Sequence, residues 1–179
     1  MLARPLTVTR GGWRLGRAFH AAAQLRVGTG DKIPDIDLVE NSPGNKVSLA
    51  TELKGKGVIV GVPAAFSPSC SAKHIPGYIK SPHLKDAGQV FVVSVNDPFV
   101  MKAWAENLDP GAASGIRFLA DPHAAFTNAL DLAFDATAIF GQPRSKRYAL
   151  TVKDGKIDGV HVEPDNTGVD VSAAEKVLK

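Results

Sequence analysis

The chain has 179 residues, a formal net charge of +3 and a single cysteine, Cys70. One cysteine excludes a disulfide framework and suits a reducing compartment, and no apolar run approaches the roughly eighteen residues that would span a bilayer. The positive charge is local: residues 1–30 hold five arginines and no acid, and without them sixteen basic residues face eighteen acidic ones, so the body of the chain gives no reason to invoke nucleic acid.

In chain order, the first segment carries Arg4, Arg10, Arg14, Arg17 and Arg26 among Leu, Val, Trp and Phe, with Asp31 as the first acid. An arginine-rich, acid-free run without a continuous apolar centre predicts a mitochondrial transit peptide over residues 1–27, cleaved between Phe19 and Gly30, and a protein of the matrix. Residues 28–179 are then one domain. About 150 residues suffice to bury roughly two-thirds of the surface of the unfolded chain. Asp31–Leu53 is mixed in pattern, with a turn at Pro43-Gly44-Asn45. Val58–Val62 is a short apolar run that predicts a buried strand. Ser67-Pro68 is a helix-start signal, Ser as N-cap and Pro at the first helical position, and predicts a helix from Ser67 to Tyr78, extending toward Ala87. Val90–Val95 predicts a second strand, closed by the turn-prone Asn96-Asp97-Pro98. Phe99, Ala103, Trp104 and Leu108 recur at helical spacing over Pro98–Leu108. Ile116–Leu119 reads as a strand and His123–Leu132 as a helix. Tyr148–Val152 and Asp158–Val162 flank Asp154-Gly155, a hairpin signal. Ser172–Lys179 closes the chain as a short helix with Ser172 as its cap. Strands alternating with helices, then a terminal hairpin and helix, imply an α/β architecture with a mixed sheet.

Cys70 stands out chemically. In the first turn of its predicted helix it lies near unpaired backbone N–H groups and the positive end of the helix dipole. A free thiol has a pKa of roughly 8.5, which such surroundings lower, and the thiolate is the nucleophile. A small buried hydrophobe is the bland alternative for a lone cysteine. A thiolate nucleophile also needs partners that orient its target and stabilise departing negative charge. The Ser67 hydroxyl is placed for the first task. A guanidinium suits the second, and both Arg144 and Arg147 are candidates on chemistry alone.

Pro63, Ser67 and Cys70 match the P-x-x-x-[T/S]-x-x-C signature of peroxiredoxins. The stretch GVPAAFSPSCSAKHIPGY resembles the type II, peroxiredoxin 5-like subfamily. Ser94-Val-Asn-Asp97-Pro-Phe99, Trp104, Leu119-Ala-Asp-Pro122, Ile139-Phe-Gly141, Lys146-Arg147-Tyr148 and Val162-Glu-Pro-Asp165 extend the likeness, which runs from Asp31 to Lys179. The resemblance implies a thioredoxin-like fold, a central mixed β-sheet flanked by helices. It also implies a thiol peroxidase acting on hydrogen peroxide and organic hydroperoxides in redox homeostasis and oxidative-stress defence. Carried onto this sequence, it makes Cys70 the peroxidatic nucleophile, Ser67 the peroxide-orienting hydroxyl, Pro63 the shield of the thiolate from water, and Arg147 rather than Arg144 the electrostatic clamp. Phe66, Phe99 and Phe140 are either homodimer contacts of the kind this subfamily makes or ordinary core.

Three departures matter. Ser67 stands where Thr is more common and lacks the methyl that stiffens χ1. Ala64 replaces a usual Gly, which is costly if that position needs a positive φ. Val171 occupies the place where some relatives carry a resolving cysteine. A sulfenic acid normally condenses with a thiol, so a chain with one cysteine requires an external thiol reductant: glutathione with glutaredoxin, or thioredoxin. No cofactor is expected. His74, four residues after Cys70, faces the same side of a helix and is more readily a packing histidine than a proton partner. His20, His83, His123 and His161 form no metal-ligand spacing. The competing readings are a glutathione-linked thiol reductase on the same fold and a non-enzymatic redox sensor or binding module.

Overall fold

The computed structural model describes residues 27–179, so the predicted transit peptide, Val27 apart, lies outside the described residues. Seven strands form the main sheet: β1 (Asp37–Glu40), β2 (Lys46–Ser48), β3 (Gly57–Val62), β4 (Gln89–Ser94), β5 (Arg117–Ala120), β8 (Tyr148–Lys153) and β9 (Lys156–Val162). Their spatial order is β2-β1-β5-β4-β3-β8-β9; β3, β4 and β5 run parallel, and the remaining pairings are antiparallel. The short strands β6 (Ala133–Phe134) and β7 (Arg144–Ser145) pair separately. This is the mixed sheet expected from the sequence.

The strand period of two divides the core. Val58, Val60 and Val62 of β3 face one side, with Val90 and Val92 of β4 and Phe118 and Ala120 of β5. There they meet α2 (Ile75–Ile79), α3 (Pro98–Leu108) and α6 (Ala174–Val177) through Ile75, Tyr78, Met101, Trp104 and Val177. Ile59, Phe91, Val93 and Leu119 face the other side, against Leu49 of α1 (Leu49–Glu52) and Phe126 of α4 (Ala125–Ala129). Cys70 belongs to the first side. Asp97, read only as part of a turn, caps α3, its carboxylate accepting from Phe99 N (2.9 Å) and Val100 N (3.0 Å). Asp154 and Gly155 both take positive φ, 52° and 73°, as a tight β8–β9 hairpin turn requires.

The differences from the sequence reading have local causes. The helix after β3 occupies residues 68–79 and does not extend toward Ala87. Pro82 disfavours a helical Ser81, and the chain makes a separate 3-10 turn at Leu84–Asp86. The helix expected over His123–Leu132 is only the five residues of α4, because Ala124 before it and Asp131 after it adopt left-handed conformations, φ 53° and 55°. Asp31–Leu53 resolves into the β1–β2 hairpin and α1, with Glu40 N donating to Asn45 O (2.9 Å) across the predicted turn. Ser172 is not a helix cap: α6 is preceded by Ala173, and the Ser172 hydroxyl is drawn instead to Glu163.

Candidate active site

The chain leaves β3 at Val62, turns through a buried Pro63, and begins its helix at Pro68. Ser67 sits just before the helix, as predicted, and Ser71 N donates back to Ser67 O (2.9 Å). Cys70 is the third helical residue and is fully buried. Over Cys70–His74 the helix widens, with Ile75 N donating to Cys70 O in an i→i+5 bond, a π turn of the sort that gathers at functional sites. The preceding loop is anchored from β4: Asn96 Oδ1 accepts from Ala65 N (3.1 Å) and from Ser94 Oγ (2.8 Å). Asn96 was read only as a turn former; nothing in its local sequence marks this role. Phe66 carries the positive φ of the loop, 60°, and Ala64 does not, so the Ala-for-Gly exchange costs no backbone strain.

Two side chains converge on the Cys70 sulfur. Ser67 Oγ lies 2.9 Å from Sγ and 2.9 Å from Ala64 O, so its one proton serves either. Arg147 Nη1 donates to the same sulfur at 3.3 Å. Arg147 is 1% exposed and its backbone is pinned between Asn166 O and Glu163 N (2.7 and 3.0 Å). Its Nε donates to Thr167 O (3.0 Å). Arg144, the other candidate by chemistry, goes elsewhere: it is buried with Nη1 donating to Val95 O and its guanidinium 4.9 Å over the Phe140 ring. Pro63 is buried at the strand end that supports the loop.

His74 completes the cluster. A guanidinium only donates, so His74 Nδ1, 3.1 Å from Arg147 Nη1, is the acceptor. Nε2 must then carry the proton that it gives to Ser172 O at 3.0 Å. The imidazole is therefore neutral. Burial, and next the Arg147 charge, hold its pKa down to about 4, against smaller opposing effects of the Ser172 carbonyl and Glu163. Tyr78 stands edge-on to the ring at 5.5 Å and donates its hydroxyl to the same Ser172 O (2.6 Å); burial foremost keeps that phenol protonated. On the opposite flank Trp104 Nε1 donates to Ser71 Oγ (3.0 Å), and the indole packs on Phe118 and Phe66 with ring centroids 5.5 and 6.5 Å away. A buried sulfur thus faces a hydroxyl and a guanidinium, an arrangement suited to receiving a small, polarisable substrate and holding negative charge.

A Redoxin family model matches residues 28–178. The chain belongs to that family. Peroxisomal membrane associated protein 20 of Schizosaccharomyces pombe is 45% identical over 155 residues, covering 85% of this chain and 97% of the relative. Peroxiredoxin-2E-2 of Oryza sativa, chloroplastic, is 37% identical, covering 86% of this chain and 72% of the relative. Among solved structures, reduced Prx3 from Vibrio vulnificus in complex with hydrogen peroxide superposes with a TM-score of 0.77 at 37% identity, covering 85% of this chain and 94% of that one. The fold is thioredoxin-like and the chain is a peroxiredoxin, an enzyme of the thiol peroxidase class. The mitochondrial assignment is corrected by these relatives: the 45% identical one is peroxisomal by name and the rice one chloroplastic. An arginine-rich, acid-free run expresses charge alone, and charge alone does not fix a compartment. Among the described residues no helix is long and apolar enough to cross a membrane.

Proposed function

We propose that this peroxiredoxin reduces hydrogen peroxide and organic hydroperoxides through Cys70 alone, in a one-cysteine cycle completed by an external thiol, and so serves redox homeostasis and oxidative-stress defence. The observation that carries this reading is the convergence of Ser67 Oγ and Arg147 Nη1 on one buried sulfur. The Cys70 thiolate attacks one peroxide oxygen; the S–O bond forms as the O–O bond breaks, and the second oxygen leaves as hydroxide or alkoxide and takes a proton. Ser67 orients the O–O bond, Arg147 stabilises the charge on the departing oxygen, and the loop carried by Pro63 keeps bulk water from the sulfur. Cys70 is left as a sulfenic acid. A first external thiol condenses with it, releasing water and forming a mixed disulfide. A second thiol attacks that disulfide and restores Cys70.

Glutathione with glutaredoxin, or thioredoxin, fits the role of reductant, because Cys70 is the chain's single cysteine and Val171 stands where an internal thiol would serve. The exposed Phe66 and Phe99, 53% and 64% accessible, support a homodimer contact. Phe140, by contrast, is half-buried under Arg144. Steady-state peroxide consumption with each reductant system tests the proposal. Turnover with at least one system, abolished in Cys70→Ser, is expected; turnover with neither, or a Cys70→Ser variant that still consumes peroxide, would overturn it.

A further inference from the structure

A long, flexible guanidinium placed near a sulfur is not thereby aimed at it. Here the aim comes from one segment, residues 163–172. Three of its carbonyl oxygens face the cluster. Asn166 O takes the Arg147 N–H (2.7 Å), Thr167 O takes Nε (3.0 Å), and Ser172 O takes the His74 Nε2 proton (3.0 Å) and the Tyr78 hydroxyl (2.6 Å). His74 in turn holds Nη1 on its Nδ1 (3.1 Å). The guanidinium is thus held directly through Nε and indirectly through Nη1.

What shapes the segment is Glu163. It is 2% exposed and makes no salt bridge with a described residue. One oxygen, Oε1, accepts from Asp170 N (2.8 Å), Ser172 N (2.9 Å) and Ser172 Oγ (2.6 Å), while the Glu163 N–H donates to Arg147 O (3.0 Å). Asp165 Oδ1 closes the inner turn on Thr167 N (3.1 Å) and Gly168 N (2.7 Å). A buried carboxylate spent on its own loop, with no cation beside it, is costly unless its hydrogen bonds are needed. We propose that Glu163 is a positioning residue for peroxide reduction: its carboxylate folds residues 163–172 so that Thr167 O and, through His74, Ser172 O aim the Arg147 guanidinium at the Cys70 sulfur. This rests on the reading that Arg147 stabilises the departing oxygen. Burial works against a charged Glu163, but the hydrogen bonds from the Ser172 hydroxyl and from the N–H groups of Asp170, Ser172 and Val171 outweigh it and lower its pKa, so the carboxylate is present at neutral pH.

The test uses the full chain as wild type, Glu163→Ala, Glu163→Gln and Ser172→Ala, with two measurements each: the second-order rate of Cys70 oxidation by hydrogen peroxide, and the rate of Cys70 alkylation by iodoacetamide. Misaiming a positioned group by about 1 Å costs up to ~100-fold, so Glu163→Ala should oxidise about 10- to 100-fold more slowly. Measured at about pH 10, above the free-thiol pKa of roughly 8.5, where the sulfur is ionised with or without the guanidinium, its alkylation should be unchanged or faster, since loosening then only uncovers the sulfur. Glu163→Gln keeps a carbonyl oxygen for the same three donors and should recover most of the oxidation rate. A Glu163→Ala variant that oxidises at the wild-type rate overturns the proposal, as does a Gln variant no better than Ala. If Glu163→Ala does not fold, Ser172→Ala decides: loss of one donor should slow oxidation about threefold, and a wild-type rate overturns the proposal. A wild-type protein that fails to consume peroxide removes the peroxidase reading itself, a result distinct from any difference among the variants.

Discussion

Acidification should dismantle the Cys70 cluster at His74. Its ring is 1% exposed, accepts from Arg147 on Nδ1 and donates from Nε2. A second ring proton would set an N–H against a guanidinium N–H with no room for water between them. The fold lowers the pKa from 6.5 to about 4. In the unfolded chain the same imidazole binds a proton near 6.5, so the unfolded state gains protons first as pH falls. The stability contributed by a neutral His74 is therefore complete above pH 6.5 and is lost progressively as pH falls toward 4. Worked through at 1.36 kcal/mol per pH unit, the loss between pH 7.5 and 4.5 is roughly 2–3 kcal/mol. That is a large share of a total stability of about 5–15 kcal/mol. Urea unfolding followed by tryptophan fluorescence across this range, for wild type and His74→Gln, isolates the effect, because carboxylates and the remaining histidines titrate in both proteins. The advantage of wild type over the glutamine variant should shrink by about that amount as the pH drops. A difference that stays flat would refute both the neutral tautomer and the burial argument behind it.

Arg147→Gln and Ser67→Ala each remove one donor to the sulfur, and each should slow Cys70 oxidation by roughly 100-fold or more in stopped-flow measurements; wild-type rates would show that proximity to Cys70 is not participation. Gly61→Ala probes the sheet beneath the site. A Cβ there would run into the Tyr148 ring of the paired strand β8. Both residues are buried, so a loss of about 1–3 kcal/mol in denaturant unfolding is expected, with no change in unfolding midpoint as the contrary result.

The central strands β3 and β4 were legible because buried parallel strands read as unbroken apolar runs, as in Val58–Val62 and Val90–Val93, whereas the short strands β1 and β2 lay hidden in the mixed pattern of Asp31–Leu53. Helix α3 was legible from the helical spacing of its apolar residues, although of that set Phe99 and Ala103 are exposed and the buried face is Pro98, Met101 and Trp104. The errors fell where a single backbone angle or a distant partner decides. Positive φ at Ala124 delays, and at Asp131 cuts short, the helix that the pattern of His123–Leu132 suggests, and Ser172, a cap by composition, is captured by Glu163 nine residues before it. The site divides the same way. Ser67 and Cys70 lie three residues apart and announce each other. Arg147 is 77 residues from Cys70; chemistry left it level with Arg144 until the family likeness separated them, and the fold then sent Arg144 to Val95 O. Asn96 and Glu163 lie in stretches that carry the family likeness, but nothing in those stretches pointed to their roles, since each acts by accepting backbone N–H groups that only the folded chain presents.

The contacts that prepare Cys70 for peroxide also obstruct its reduction. A diatomic O–O group can enter between a hydroxyl and a guanidinium, whereas the thiol of a peptide or a protein cannot reach a sulfur that is 0% exposed. In a one-cysteine cycle the second half-reaction must therefore release the sulfur from Ser67 and Arg147, and free Ala65 from Asn96. On the outer side little burial opposes this release. Phe66, Pro68 and Ser69 are already exposed, and the helix start carries an i→i+5 bond at Cys70 in place of the tighter α-helical pattern. The inner side is different: Arg147, His74 and the loop centred on Glu163 are buried and mutually bonded. On the proposed cycle, then, it is the outer side that would open to bring the sulfur to a reductant, and the buried inner side that would stay assembled for the next turnover.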